Sequence, residues 1–98
     1  KGKNYLVKNI LVKPEGKLSL QSHKHRSEHW IVVQGIATVT VREKIQTLKV
    51  NESVFIHQEI KHRLENNVKE NLIIIEIQYG NILLENDIIR YEDIYNRK

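Results

Sequence analysis

Apolar and polar residues alternate with a period of two along much of the chain, and β-branched residues dominate the apolar positions. Successive side chains of an extended strand point to opposite faces, so this pattern predicts short strands. They fall at residues 5–12, 18–20, 30–33, 36–41, 45–50, 53–56 and 72–79. Turn-forming residues sit between them, at Pro14-Glu15-Gly16, Gln34-Gly35, Glu43-Lys44, Asn66-Asn67 and Gly80-Asn81. Close, regular spacing of this kind predicts an all-β antiparallel sandwich or barrel rather than alternating strands and helices. No segment carries a helical stripe over three turns, although residues 92–98 leave room for a short terminal helix. There is no internal repeat, low-complexity stretch or linker, and 98 residues suit a single domain spanning the chain.

Composition narrows the class. Apolar residues make up 40% and charged residues 29%, too apolar a mixture for a disordered tail. No apolar run approaches the roughly 20 residues of a membrane span. Cysteine is absent, which excludes disulfides and thiolate metal sites, and the expected location is cytoplasmic. The net charge is +4, and Lys1, Lys3, Lys8, Lys13, Lys17, Lys24 and Arg26 face only Glu15 in the first 26 residues. That balance favours an anionic ligand. Nucleic acid is not expected, because the aromatics do not interleave with the basic residues as a base-stacking surface requires.

Three of the five histidines fall in Gln21-Ser-His23-Lys-His25-Arg-Ser-Glu28-His29-Trp30. In a continuous strand Gln21, His23 and His25 share a face and can converge on one ion. Imidazoles with a carboxylate suit zinc, cobalt, manganese, nickel or iron, without choosing between them. An isolated His-x-His is most simply an exposed edge strand, but Glu28 is followed after six residues by Gly35, and His62 after three by Asn66.

These spacings resemble the two motifs of the cupin family, whose fold is an antiparallel β-barrel or jelly roll. Gly16, His23, His25, Glu28 and Gly35 fill the first motif, with a gap of only two residues before Glu28. His62 and Asn66 fit the second, while Asn51, His57 and Glu59 stand where the family has Gly, Pro and Gly. The resemblance implies a divalent metal held by His23, His25, Glu28 and His62. Strict alternation from His25 places His29 on the metal side instead; a bulge or turn at Arg26-Ser27 restores Glu28. The kept spacing to Gly35 favours Glu28, with His29 as the substitute.

Longer strings resemble one branch of the cupins: Lys13-Pro-Glu-Gly16, Leu18-Ser-Leu-Gln21, His23-Lys-His-Arg-Ser-Glu-His-Trp30, His62-Arg-Leu-Glu-Asn66, Ile75-Glu-Ile-Gln78, and Glu85 to Arg90. The chain is similar from about Tyr5 to Arg97 to the type II mannose-6-phosphate isomerase domain. That domain usually ends bifunctional mannose-1-phosphate guanylyltransferase/mannose-6-phosphate isomerases. The implied reaction interconverts mannose 6-phosphate and fructose 6-phosphate, in GDP-mannose supply, and needs a base, an electrophile and a phosphate grip. Glu76 and Gln78 share one parity inside an apolar run, so both are expected to face the barrel interior, Glu76 as base and Gln78 as a substrate contact. The alternative for Glu76 is a paired or solvated glutamate. Arg26 matches an arginine of the family string and is the leading candidate for phosphate, with Arg63, Arg90 and Lys24 behind it. Trp30 and Phe55 are expected in the core, and His57 in a structural or exposed role.

The resemblance also implies a homodimer, with residues 5–12 as an exchange strand, and a separate nucleotidyltransferase chain as a further partner, since a glycine-rich phosphate loop is missing here. A different class is a non-catalytic cupin that binds metal or sugar phosphate, a remnant of a split bifunctional protein. A cupin dioxygenase or epimerase rests on fold analogy alone.

Overall fold

The computed structural model describes residues 4–18, 20–23, 25–80 and 89–92. Nine strands are present among them: β1 (Asn4–Val12), β2 (Leu20–Ser22), β3 (Arg26–Gln34), β4 (Ala37–Val41), β5 (Lys44–Leu48), β6 (Ser53–Ile56), β7 (His62–Glu65), β8 (Leu72–Gly80) and β9 (Ile89–Glu92). They form two antiparallel sheets ordered β1-β8-β3-β6 and β5-β4-β7-β2-β9. Apart from the β4–β5 hairpin, each strand through β8 lies in the opposite sheet from the next, so the chain passes repeatedly between layers. Two apolar inner faces then close on each other, the jelly-roll solution to covering a half-buried sheet.

The inner face takes alternate residues of each strand. Val12, Trp30, Val32, Ala37, Val39, Leu48, Ile56, Leu64, Leu72 and Ile74 form one buried cluster. Burying each larger aliphatic side chain contributes about 1.5–3 kcal/mol. Phe55, expected in the core, instead lies half exposed on the outside of β6, because Ile56 takes the inward position. Trp30 is inward, as the parity of Arg26, Glu28 and Trp30 requires.

β7 and β9 were not expected as strands. β7 carries one aliphatic residue, Leu64, and is held by pairing with β4 and β2. Glu92 closes β9, and the terminal helix expected from there onward lies outside the described residues. No described helix is long and apolar enough to cross a membrane.

Turn backbones explain several sequence positions. Lys13 to Gly16 is closed by a Gly16 N to Lys13 O hydrogen bond of 2.9 Å, with Glu15 at φ 65°, the type II pattern after proline. Asn51 and Glu59, where the cupin motif has glycine, keep left-handed φ values of 74° and 67°. The glycines are lost but the conformation they serve is retained. Gly35 has φ 89°, and a Cβ there would stand 2.8 Å from the Asn71 carbonyl oxygen.

Asn66 is fully buried and ties three segments together. Its Nδ2 donates to Val12 O at 2.9 Å and to Glu70 O at 2.7 Å, and Val68 N donates to its Oδ1 at 3.1 Å. Replacing Asn66 by alanine strands these buried groups and is expected to lower unfolding stability by about 2–4 kcal/mol, measured by urea denaturation.

Candidate metal centre

β2, β3 and β7 bring His23, Glu28 and His62 to one end of the barrel interior. Each offers a ligand atom, and the three atoms lie within 4.8 Å of one another. All three residues are 3% exposed or less. Glu28 and His62 reach the interior by ordinary alternation along β3 and β7. His23 reaches it from the connection where the chain leaves the five-stranded sheet for the four-stranded one.

That crossing decides the fate of His25. The expectation that His23 and His25 share a face assumed one continuous strand, but β2 ends at Ser22 and β3 begins at Arg26 in the other sheet. His23 is buried and His25 exposed, and the three-residue group excludes His25. No bulge interrupts Arg26–Ser27, which pair in register with Gly80 and Tyr79; the irregularity in β3 falls between Val32 and Gln34. The break in parity is the sheet change itself. It turns Glu28 inward and His29 outward, where His29 meets Phe55 edge-on with ring centroids 6.3 Å apart.

Glu28 is the hub. Its Oε2 lies 3.0 Å from both His23 Nε2 and Arg26 Nε, and its Oε1 lies 3.8 Å from His62 Nε2. The Trp30 indole N–H donates to Oε1 at 2.9 Å. Sequence reasoning placed Trp30 in the core alone; its position two residues after Glu28 on the same face was the available signal. His62 Nδ1 is 2.9 Å from Ile60 O. Donation from Nδ1 to that carbonyl leaves the Nε2 lone pair facing Glu28, the tautomer a metal ligand requires.

Burial alone would raise the Glu28 carboxyl, but the hydrogen bond from His23 and the positive charge of His62, His23 and Arg26 outweigh it and hold Glu28 at about 2. Burial lowers His62 below its ordinary value despite the opposing pull of Glu28 and the Ile60 carbonyl. Both groups are depressed in the folded chain, so both contribute stability at neutral pH that is lost on acidification. The metal-free protein is expected to lose stability as pH falls below 6.5, through His62, and more steeply from 4.5 toward 2, through Glu28. The Glu28 part is on the order of 3 kcal/mol, and Glu28→Gln should flatten that limb in urea midpoints measured against pH.

Two inward side chains of β8 complete the polar interior. Glu76 pairs in register with Trp30, and Gln78 with Glu28. Both are buried, and Gln78 Nε2 donates to Glu76 Oε2 at 2.5 Å. Burial, then the negative charge of Glu28, push Glu76 above its ordinary value against the hydrogen bond from Gln78. Gly80, read in the sequence only as a turn residue, ends this strand opposite Arg26; a Cβ there would collide with the His25 carbonyl oxygen. Only glycine lets β8 approach the entry to β3 so closely.

Among the remaining anion candidates, Arg63 lies opposite Thr40 on the outward side of β7, because the alternation that turns His62 inward turns its neighbour out. The backbone of Arg90 pairs with Gln21, but its side chain lies outside the described residues, as does Lys24. His57 is exposed and packs edge-on against Phe55 at 4.7 Å.

A two-sheet β-barrel holding a buried His, Glu and His at one end defines the class as cupin-like. Solved structures agree: the chain overlays a double-stranded beta-helix domain protein from Klebsiella pneumoniae with TM-score 0.78 at 17% identity, covering 91% of this chain and 71% of that one. A cupin 2 conserved barrel domain protein from Salinispora arenicola gives 0.69 at 18%, covering 76% and 61%.

The particular family follows from sequence, since the family model for the mannose-6-phosphate isomerase C-terminal domain matches residues 1–93, and the chain belongs to that family. It is 50% identical over 96 residues to xanthan biosynthesis protein XanB of Xanthomonas campestris, and 47% identical to mannose-1-phosphate guanylyltransferase ManC of Salmonella typhimurium. In each case 98% of this chain is covered but only about a fifth, 21% and 20%, of the relative.

Proposed function

We propose that this domain is a metal-dependent isomerase interconverting mannose 6-phosphate and fructose 6-phosphate in the cytoplasm. The observation that carries the reading is the buried His23–Glu28–His62 group with Glu76 on the adjoining strand, in a chain of this family. Two imidazoles and a carboxylate on neighbouring elements fit zinc, cobalt, manganese, nickel or iron. A divalent ion held by these three residues supplies a Lewis acid that stabilises negative charge on the substrate oxygens.

The chain's own residues supply the rest. Glu76 removes the proton from C2 of the aldose as the C2–H bond breaks, and returns one to C1 as the C1–H bond forms, while the O2 hydroxyl proton passes to O1 so that the C1 carbonyl becomes a hydroxyl and C2 a ketone. A carboxyl raised by burial is suited to both directions of that transfer. Gln78 holds the Glu76 carboxylate in place and borders the sugar. Arg26 meets the phosphate, for which a guanidinium fork is suited. Arg63 faces away from this chemistry, and Arg90 remains a candidate on β9.

Against the remnant reading, the second motif keeps its turn shapes although Asn51 and Glu59 stand where the family has glycine. The left-handed backbone at these two positions favours a working site. Any nucleotidyltransferase partner, in the same polypeptide or a separate chain, acts on the sugar phosphate elsewhere. A homodimer is proposed through the outer face of the four-stranded sheet, where Val7, Leu11, Val33, Phe55 and Tyr79 are exposed beside half-buried Ile75. Val7→Lys with Tyr79→Lys should convert the dimer to monomer in analytical ultracentrifugation.

The test of function is turnover of mannose 6-phosphate to fructose 6-phosphate by purified protein loaded separately with each metal. Turnover is expected with at least one. No turnover above a His23→Ala, His62→Ala control with any of them leaves only a binding function.

A further inference from the structure

The contacts around Glu28 contain a conflict. His23 Nε2 lies 3.0 Å from Glu28 Oε2 and 3.3 Å from Arg26 Nη2. If that nitrogen carries a proton it donates to the carboxylate but opposes the guanidinium N–H; if it carries the lone pair it accepts from Arg26 but faces the carboxylate. One imidazole nitrogen cannot serve both partners. A cation bound by both the His23 lone pair and Glu28 removes the conflict, and Arg26, 7% exposed and bonded to Glu28 through Nε at 3.0 Å, lies across those same donor atoms.

We propose that Arg26 is an internal surrogate cation: in the metal-free protein its guanidinium lies across the donor atoms of Glu28 and His23, and an incoming divalent ion must displace it. Its Nε holds Glu28 Oε2 while Nη2 reaches His23, so without an ion Glu28 is not an isolated buried charge. Displacement frees a guanidinium inside a site whose other charged side chains are the carboxyl groups of Glu28 and Glu76, and makes it available to an anionic substrate only after the ion has bound. Loading and anion capture are thereby ordered. Gly80 supports the arrangement by allowing β8 to pass directly against Arg26. The inference rests on the metal site of the proposed function, not on its chemistry.

The experiment titrates chelator-stripped full chain with zinc or cobalt by calorimetry, alongside quenching of Trp30, the chain's single tryptophan, whose indole touches Glu28. Arg26→Met and Arg26→Gln remove the charge. Both should bind the ion at least tenfold more tightly than the native chain. Both should melt lower than the native chain without metal, and the gap should close at saturating metal. Equal or weaker binding by both variants, with binding by the native chain intact, overturns the surrogate while leaving the metal site standing. Absence of binding by native chain and variants alike overturns both. If Arg26→Met does not fold, Arg26→Gln alone carries the comparison, because it keeps a polar group of similar reach.

Discussion

Glu28→Ala is expected to give the largest combined loss of any single substitution. Removing a proposed ligand should weaken divalent metal binding by more than the tenfold to hundredfold typical of losing a group behind a ligand, on the order of a hundredfold or beyond. Stability falls as well, because Arg26, His23 and the Trp30 N–H all converge on this carboxylate. A buried guanidinium left without its partner costs about 3–5 kcal/mol. For a chain of this size that corresponds to a melting temperature lower by at least about 12 °C. Glu28→Gln keeps the shape and an acceptor for Trp30, so its stability loss should be smaller, while its metal affinity should remain poor. Calorimetry on the metal-free and metal-loaded forms checks both parts.

Glu76→Gln is expected to lower kcat for the proposed isomerisation by about two to four orders of magnitude while leaving metal affinity unchanged. The substitution keeps the shape of the side chain and removes only its ability to accept and return a proton. Its effect on stability separates it from a structural defect. Burial raises Glu76, so the carboxylate is a liability at neutral pH, and its contribution, present below pH 4.5, is lost as pH rises through the raised value. Glu76→Gln should therefore be at least as stable as the native chain at pH 7 by urea denaturation. A large kcat loss with undiminished stability marks the base. A parallel loss of both contradicts that role.

The placement of the carboxylate shows which inferences survive the step from sequence to fold. Counting back from Gly35 to Glu28 runs along one continuous strand, β3, so the spacing retains meaning. Counting forward from His25 crosses from one sheet to the other, and side-chain parity does not persist across such a crossing. That is why His23 is buried and His25 exposed although His-x-His reads as one face. Arg63 lies off the His23–Glu28–His62 cluster for the complementary reason: within a true strand, being next to His62 means facing away from it. Glu76 and Gln78 were legible because β8 is long, regular and pairs on both sides without a shift over those positions.

Other features had weaker signals. β7 hides behind its polar residues, and its pairing with β4 and β2 reveals it. Phe55 looked like core because aromatic side chains usually are, yet β6 spends its inward positions on Val54 and Ile56. The dual role of Trp30 required knowing that three alternate residues, Arg26, Glu28 and Trp30, stack along one inner face. Asn51 and Glu59 stand where the motif has glycine, yet the backbone there is left-handed all the same, which the residue types alone do not reveal.

Anomalous diffraction from a crystal of the zinc- or cobalt-loaded chain tests the metal centre most directly. A single ion is expected, bound by His23, by the carboxylate of Glu28 and by Nε2 of His62, at about 2.0–2.2 Å, with Arg26 swung away from Glu28. An ion bound instead through exposed His25 or His29, with Arg26 still seated on Glu28, would contradict it.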